Sequence, residues 1–245
     1  MTVWTTYMAS ERFRQFVGCG RDISRPYIIC FKELFCMSEN LIICIGRQYG
    51  SGGHEIGVGV SKALGIPCYD KDILKQAAKE SGIVEELFEK ADEKPTSSLL
   101  YSLSMGAAGA STVFPSYNDY LTNDKLFMFQ SKTIKDFAAK SSCVIIGRCA
   151  DYILRGCPHM LSVFVHAPME LRIQRISHLK NIDEDAARSL IKKTDKSRAN
   201  YYSFYADSDW GSAETYDLSL NSGKLGVSES IEILCGAAEH LKNKK

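Results

Sequence analysis

The run Gly46-Arg47-Gln48-Tyr49-Gly50-Ser51-Gly52-Gly53-His54-Glu55 has the composition of a loop that holds phosphate. Glycines let backbone N–H groups converge on an anion, and a helix starting just after them points its positive end at the same place. The flanks fit that layout. Leu41 to Ile45 is apolar and mostly β-branched, which predicts a buried strand of a parallel sheet. Ile56, Val60, Ala63 and Leu64 then recur at helical spacing, with Gly65 placed to end the helix. The common phosphate-loop pattern is G-x-x-x-x-G-K-[ST]. With Gly50-Ser51-Gly52 set on its G-x-G, Gly53 stands in the lysine's place, and His54 and Glu55 stand where hydroxyl residues belong. By itself the loop leaves two readings open, a phosphate site or a glycine-rich turn with no ligand.

Other residues gain interest from where the predicted elements put them. Cys143 to Ile146 reads as a third buried strand, and Gly147-Arg148 ends it. Ligands of open α/β sheets bind at the carboxyl ends of strands, and a guanidinium suits phosphate bidentately. The alternative for Arg148 is a surface residue beyond a strand end. Asp70 closes a short strand, Ile66 to Asp70, ahead of helical segments at Lys71 to Glu80 and Ile83 to Lys90. It either contacts a ligand or caps the next helix, and one residue can do both. Asp183 is the expected N-cap of a long helix carrying Arg188, Lys192, Lys193, Lys196 and Arg198. Such a run is either a solvated face or a set of cations that closes over a ligand. Leu161 to Ala167 reads as a fourth strand, with Pro168 in the first turn of the following helix. On that helix Arg172 and Arg175 read as solvated positions in preference to cations approaching donor phosphates, and His166 before it as a packed histidine. Asn123 to Ala139 reads as a helix with one wide apolar face, Tyr216 to Ser222 as a terminal strand, and Val227 to Leu241 as a last amphipathic helix.

Alternating strands and helices predict a three-layer α/β/α architecture around a parallel sheet of about five strands. The length of 245 residues and a hydrophobic share of 45% suffice for one sizeable core. A net charge of +1 argues against a partner that is a nucleic-acid polymer or a membrane surface, so any basic site is local. The longest apolar runs reach about five residues, far below the roughly 20 of a membrane span. The nine cysteines show no metal-type spacing and read as buried thiols of a cytoplasmic protein. Residues 1–38 lack clear periodicity and are expected to be a poorly ordered extension, upstream of the domain proper if translation starts later. The domain then spans 39–245. Pro95 to Tyr120 is its least regular stretch, either an ordinary loop or a functional one.

Three separated motifs together resemble the cytidylate kinase-like family, relatives of the nucleoside monophosphate kinases. They are Gly46 to Glu55, Gly147-Arg148-Cys149-Ala150-Asp151, and Lys192 to Tyr202, with Ala167 to Ile176 and Tyr216 to Ser222 continuing the pattern over roughly residues 40–242. In that family the loop commonly lacks the lysine. The resemblance implies a P-loop NTPase-type fold with a mobile lid and ATP- and Mg²⁺-dependent phosphoryl transfer to a nucleoside monophosphate, with CMP or dCMP the favoured acceptor. It implies donor phosphates on Gly50, Ser51, Gly52, Gly53, His54 and Glu55, with Ser51, Glu55 or water on the metal. Arg148 is implied to hold the acceptor phosphate, with Asp70 and Asp151 near the acceptor nucleoside. Cys149 stands where cytidylate kinases carry the adjacent acid. Lys192, Lys196 and Arg198 are implied lid cations, one of them oriented by Asp195, and 95–120 is implied to cover the acceptor. Two rivals stand beside this reading: a nucleotide-binding protein without catalysis, and a kinase of another small acceptor.

Overall fold

The computed structural model describes residues 39–70, 117–206 and 208–243. The expected extension at 1–38, the helical segments at 71–90 and most of the irregular stretch from residue 95 lie outside them. Five parallel strands form one sheet: β1 (Ile42–Arg47), β2 (Cys68–Tyr69), β3 (Cys143–Ile146), β4 (Met160–His166) and β5 (Leu218–Asn221), in the order β2-β3-β1-β4-β5. β1 is central, which is why Ile42 to Ile45 are apolar without alternation: both faces are covered. The helices are α1 (Gly53–Leu64), α2 (Tyr117–Lys140), α3 (Ala150–Ile153), α4 (Met169–Lys180), α5 (Glu184–Ala206), α6 (Ser222–Leu225) and α7 (Val227–Asn243).

The two sheet faces are packed differently. On one, Ile43, Ile45, Val163 and Val165 meet Ile56 and Val60 of α1 and Leu234 and Ala238 of α7. A Cβ at Gly57 would lie 2.8 Å from Ile146 Cδ1, so a side chain at that position would have to displace the end of Ile146 from between α1 and the sheet. On the other, Phe164 joins Tyr201, Tyr202 and Tyr205 of α5 and Phe127 of α2 in an aromatic cluster. Phe127 stacks on Tyr205 with centroids 3.8 Å apart. This is the expected three-layer arrangement, an α/β fold of the P-loop type.

Element ends follow local chemistry. Gly65 ends α1 in the left-handed region at φ 65°, as expected of a C-cap glycine. Asp183 Oδ1 accepts the Ala186 N–H at 2.8 Å and caps α5. Pro168 stands one residue earlier than expected: it is the N-cap of α4, its extended ψ of 144° leading out of β4 while its carbonyl accepts the Arg172 N–H.

One clasp positions the glycine loop. Asp195 of α5 accepts the Tyr49 N–H at 2.7 Å and takes Arg172 Nη1 of α4 at 2.5 Å. Arg172 Nη1 also lies 3.3 Å from the Tyr49 carbonyl. Arg172 is only 5% exposed, so the expectation of a solvated residue fails. The loop folds back over α4, and α5 closes the third side. Asp195 accordingly orients Arg172 and the loop rather than a neighbouring lysine of its own helix. Tyr49 also packs against the buried cluster of Ile173, Ile176 and Ile191 from the same two helices. Removing the guanidinium leaves a sequestered carboxylate without its counter-charge, so Arg172→Ala is expected to destabilise the protein by about 3 kcal/mol in urea unfolding. A cost near zero would mean that the pair is a surface contact of no structural weight.

Candidate functional site

The loop between β1 and α1 is held from below and open above. The Gln48 carbonyl accepts both the N–H and the hydroxyl of Ser51 (3.3 and 2.9 Å), and Ser222 Oγ donates to the Ser51 carbonyl at 2.5 Å. Gly50 and Gly52 both adopt φ 81°, where a Cβ is disfavoured. At Gly50 a Cβ would also press on Ile176 and on the Arg172 carbonyl at about 3.0–3.1 Å. Gly52 is the N-cap of α1 and supplies no side-chain cap, so the first amides of that helix have no side-chain acceptor at the cap. An anion fits this cradle on both geometry and dipole. Arg175 adds charge: a Cβ at Gly52 would collide with its guanidinium, and its Nη2 lies 2.6 Å from Glu55 Oε2. The expected solvated arginine is therefore half-buried against the mouth of the loop.

The rim of the loop carries the other residues singled out in the motif. Ser51 is 1% exposed with its hydroxyl turned inward to Gln48, whereas Glu55 and His54 are exposed. His54 Nε2 lies 3.1 Å from Asp70 Oδ2, which ties the end of β2 to the first turn of α1. Ser51 thus makes a poor metal ligand, and the loop's exposed carboxylate, Glu55, would have to exchange Arg175 for a metal. A magnesium ion, which keeps several waters and uses one or two carboxylates with substrate phosphates, is compatible with that donor set.

A second site opens at the carboxyl ends of β1 and β3, where the strand order switches sides. Gly147, Arg148 and Cys149 adopt φ of 75°, 60° and 54° in succession. Two of the three are not glycine, and such strain concentrates at functional sites. The turn places Arg148, 5% exposed, in the wall of a cavity shared with Arg47, Asp151, Arg198, Tyr202 and Trp210. Arg198 reaches in from α5, donating to the Arg47 carbonyl at 3.2 Å with its guanidinium 5.6 Å from the centre of the Tyr49 ring. Asp151 Oδ2 accepts the Tyr202 hydroxyl at 2.5 Å. Burial pushes the Asp151 carboxyl above the usual carboxylate range, with the Tyr202 hydrogen bond opposing it. Burial, and then the charge of Asp151, push the Tyr202 phenol far up, so Tyr202 remains a proton donor at neutral pH.

The basic run on α5 divides by helical register. Arg198 lies on the inward face with Asp195 and Tyr202, whereas Lys192 and Lys196 are exposed and form no hydrogen bond or ion pair with any described residue. The structure brings Gly50 to Glu55, Asp70, Arg148, Asp151 and Arg198 to one end of the sheet, and leaves the two lysines on the outer side of α5. Arg47, Arg172 and Tyr202 were not assigned roles from sequence. For Arg47 the signal was present: like Arg148, it ends a core strand immediately after a glycine.

The comparisons agree with this geometry. The model of the cytidylate kinase-like family matches residues 42–224. A cytidylate kinase of Methanopyrus kandleri is 22% identical over 213 residues, 83% of this chain and 96% of that one. A cytidylate kinase of Methanocaldococcus jannaschii is 30% identical over 110 residues, 44% of this chain and 61% of that one. The crystal structure of an uncharacterized protein from Eubacterium ventriosum superposes with a TM-score of 0.61 at 27% identity, covering 82% of this chain and 99% of that one. With a family match over most of its length, and with the loop, the strand-end arginine and the inward-facing cation of α5 all on one sheet edge, the chain belongs to the cytidylate kinase-like family, a family of kinase-type phosphotransferases.

Proposed function

We propose that the protein transfers the γ-phosphoryl group of ATP to a nucleoside monophosphate, with CMP or dCMP as the acceptor. The observation that carries the proposal is the pairing of two anion sites on one rigid edge. The Gly50–Gly53 cradle with an uncapped helix start suits a polyphosphate, and the neighbouring cavity sets Arg148 and Arg198 beside Asp151. A lone cradle would suit any phosphate ligand; an adjacent cationic cavity with a hydrogen-bonding acid in it suits a second, smaller phosphate ester.

In this reading an oxygen of the acceptor phosphate attacks the γ-phosphorus, the bond between that phosphorus and the bridging oxygen breaks, and ADP leaves. No side-chain nucleophile is required, so the chain's work is positioning and charge neutralisation. The amides of Gly50 to His54 hold the donor phosphates, with Arg175 at the mouth. Arg148 fixes the acceptor phosphate from the strained turn after β3, and Arg198 stabilises the charge that spreads over the transferring group. Asp151, held by Tyr202, offers an acceptor to an exocyclic amino group of the base, and Asp70 lines the acceptor side through its contact with His54. Mg²⁺ would supply charge neutralisation, and Glu55 with water would hold it on the protein side. Lys192 and Lys196, the lid cations that the family likeness implies, serve in this scheme only if the outer side of α5 turns toward the substrate.

An ADP-release assay with ATP, Mg²⁺ and CMP, dCMP, UMP, AMP or GMP tests the proposal. Stimulation by CMP or dCMP above the others is expected; ATP binding without stimulation by any of them would point to a binding protein instead. In the same assay Arg148→Ala is expected to raise the acceptor KM about 10- to 100-fold while leaving ATP affinity within a few fold, as loss of one charge-assisted contact implies. Equal loss for donor and acceptor would refute the assignment of Arg148.

Asp151 gives a pH signature. Its carboxyl is raised from 3.8 in the folded protein, so the folded state binds the proton more tightly than the unfolded state. The associated stability is complete below that ordinary value and is lost as pH rises through the raised one. The stability of the wild type relative to Asp151→Asn is therefore expected to fall from about pH 4 toward neutrality in thermal melts. A difference independent of pH would show that Asp151 is not desolvated.

A further inference from the structure

The loop lacks a lysine, and the space a lysine would need is already filled. Gly53 is the first residue of α1, the position from which such a side chain starts. A Cβ there would lie 2.5 Å from Arg47 Cβ and 3.1 Å from Arg47 Cγ. No side chain fits at position 53 while Arg47 holds its course. The course itself follows from strand parity. Ile43, Ile45 and Arg47 leave β1 on the same side, the side on which α1 packs, so the Arg47 stem passes under the start of that helix. The head then lies across Gly147: a Cβ on that glycine would fall inside the Arg47 guanidinium, with Cζ 2.9 Å away. Gly147 stands immediately before Arg148 and lines the same cavity as Arg47, Arg148 and Arg198.

Arg47 thus runs from the foot of the donor cradle to the wall of the acceptor cavity. The stem of Arg47 shuts out any side chain at position 53, a lysine included, while its head brings a positive charge to the same region. We propose that Arg47 is the cation that replaces the missing loop lysine, contacting the phosphate chain where donor and acceptor meet. The inference rests on the phosphoryl-transfer reading above and names a further residue for that site. Because a guanidinium presents several donors in a plane, it can bridge oxygens of both phosphates, which a point charge on a lysine does less well. Gly147 is then required twice, for its φ of 75° and for the room it leaves to Arg47.

The exclusion suggests a transplant as the test. Arg47→Ala, Gly53→Lys, the double variant Arg47→Gly with Gly53→Lys, and Arg47→Lys are compared with the wild type. Measurements are kcat and KM for ATP and CMP, calorimetric binding of inorganic tripolyphosphate, and thermal melts that verify folding. Arg47→Ala is expected to lower kcat about 100- to 1000-fold, the usual cost of one preorganised group facing transition-state charge. It should also weaken tripolyphosphate at least tenfold. The Cβ of an alanine at 47 would still meet a Cβ at 53 at 2.5 Å, so the double variant carries Arg47→Gly with Gly53→Lys. Its remaining close neighbour is Val165 Cβ at 3.3 Å, and it should restore at least tenfold of the kcat lost in Arg47→Ala. Gly53→Lys alone should be inactive or unstable. Arg47→Lys covers the case in which Arg47→Ala does not fold, and should retain tripolyphosphate binding with a reduced kcat. Wild-type kcat and tripolyphosphate affinity in Arg47→Ala would overturn the proposal, as would a combined variant no better than Arg47→Ala in both. If the wild type transfers phosphate to none of the nucleotides but Arg47→Ala still loses tripolyphosphate affinity and the transplant regains it, the phosphoryl-transfer reading fails and the assignment of Arg47 stands.

Discussion

A buried guanidinium–carboxylate pair joins three segments that are distant in the chain. Arg172 on α4 and Asp195 on α5 meet beneath Tyr49, whose N–H and carbonyl are both taken up by the pair. Buried ion pairs of this kind seldom add much net stability, since desolvation offsets most of the attraction. Their use is in specifying one arrangement. Here the arrangement is the shape of the glycine loop and the docking of α5, and both anion sites depend on it. If the loop were free to open, Gly50 would leave α4, and Arg198 would lose the Arg47 carbonyl that sets its reach.

On the proposed reading, that constraint is how the glycine loop serves phosphate without a lysine of its own. The charge around it comes from arginines on three other elements, Arg47 from β1, Arg148 from the turn after β3 and Arg175 from α4, with Arg198 of α5 completing the set. Arg47 and Arg148 are held by backbone geometry, Arg175 by its pair with Glu55 and Arg198 by the bond it donates to the Arg47 carbonyl. The left-handed turn at Gly147 to Cys149 aims Arg148, and the close approach at Gly53 and Gly147 channels Arg47. Rigid placement of this kind favours electrostatic stabilisation, because the donors need no reorganisation when charge develops.

Much of the fold was legible in the sequence because its signals are local. The apolar runs at Ile42, Cys143 and Leu161, the glycine at 65 and the aspartate at 183 each specify an element or an end by chemistry within a few residues. The loop and Arg148 were legible for the same reason, since a glycine-rich turn and a strand end are local features. Arg172 was not. Nothing in the spacing of α4 tells that the loop folds back over it, and a charged residue on a helix otherwise reads as solvated. Lys192 and Lys196 show the converse: a run of cations fixes how many charges a helix carries but not which of them face inward, which here is decided by Asp195 and Tyr202 docking on the loop and on Asp151. The pairing of Tyr202 with Asp151 joins residues 51 positions apart and has no local signature.

The most direct measurement of the central claim is ³¹P NMR of the purified chain incubated with ATP, Mg²⁺ and CMP. The account predicts that the γ signal of ATP and the monophosphate signal of CMP decline together while diphosphate signals of ADP and CDP grow. Growth of inorganic phosphate with CMP unchanged would mean that water, not the nucleotide, accepts the phosphoryl group, and a spectrum that does not change would mean that the two anion sites do not support transfer to CMP; either would contradict the account.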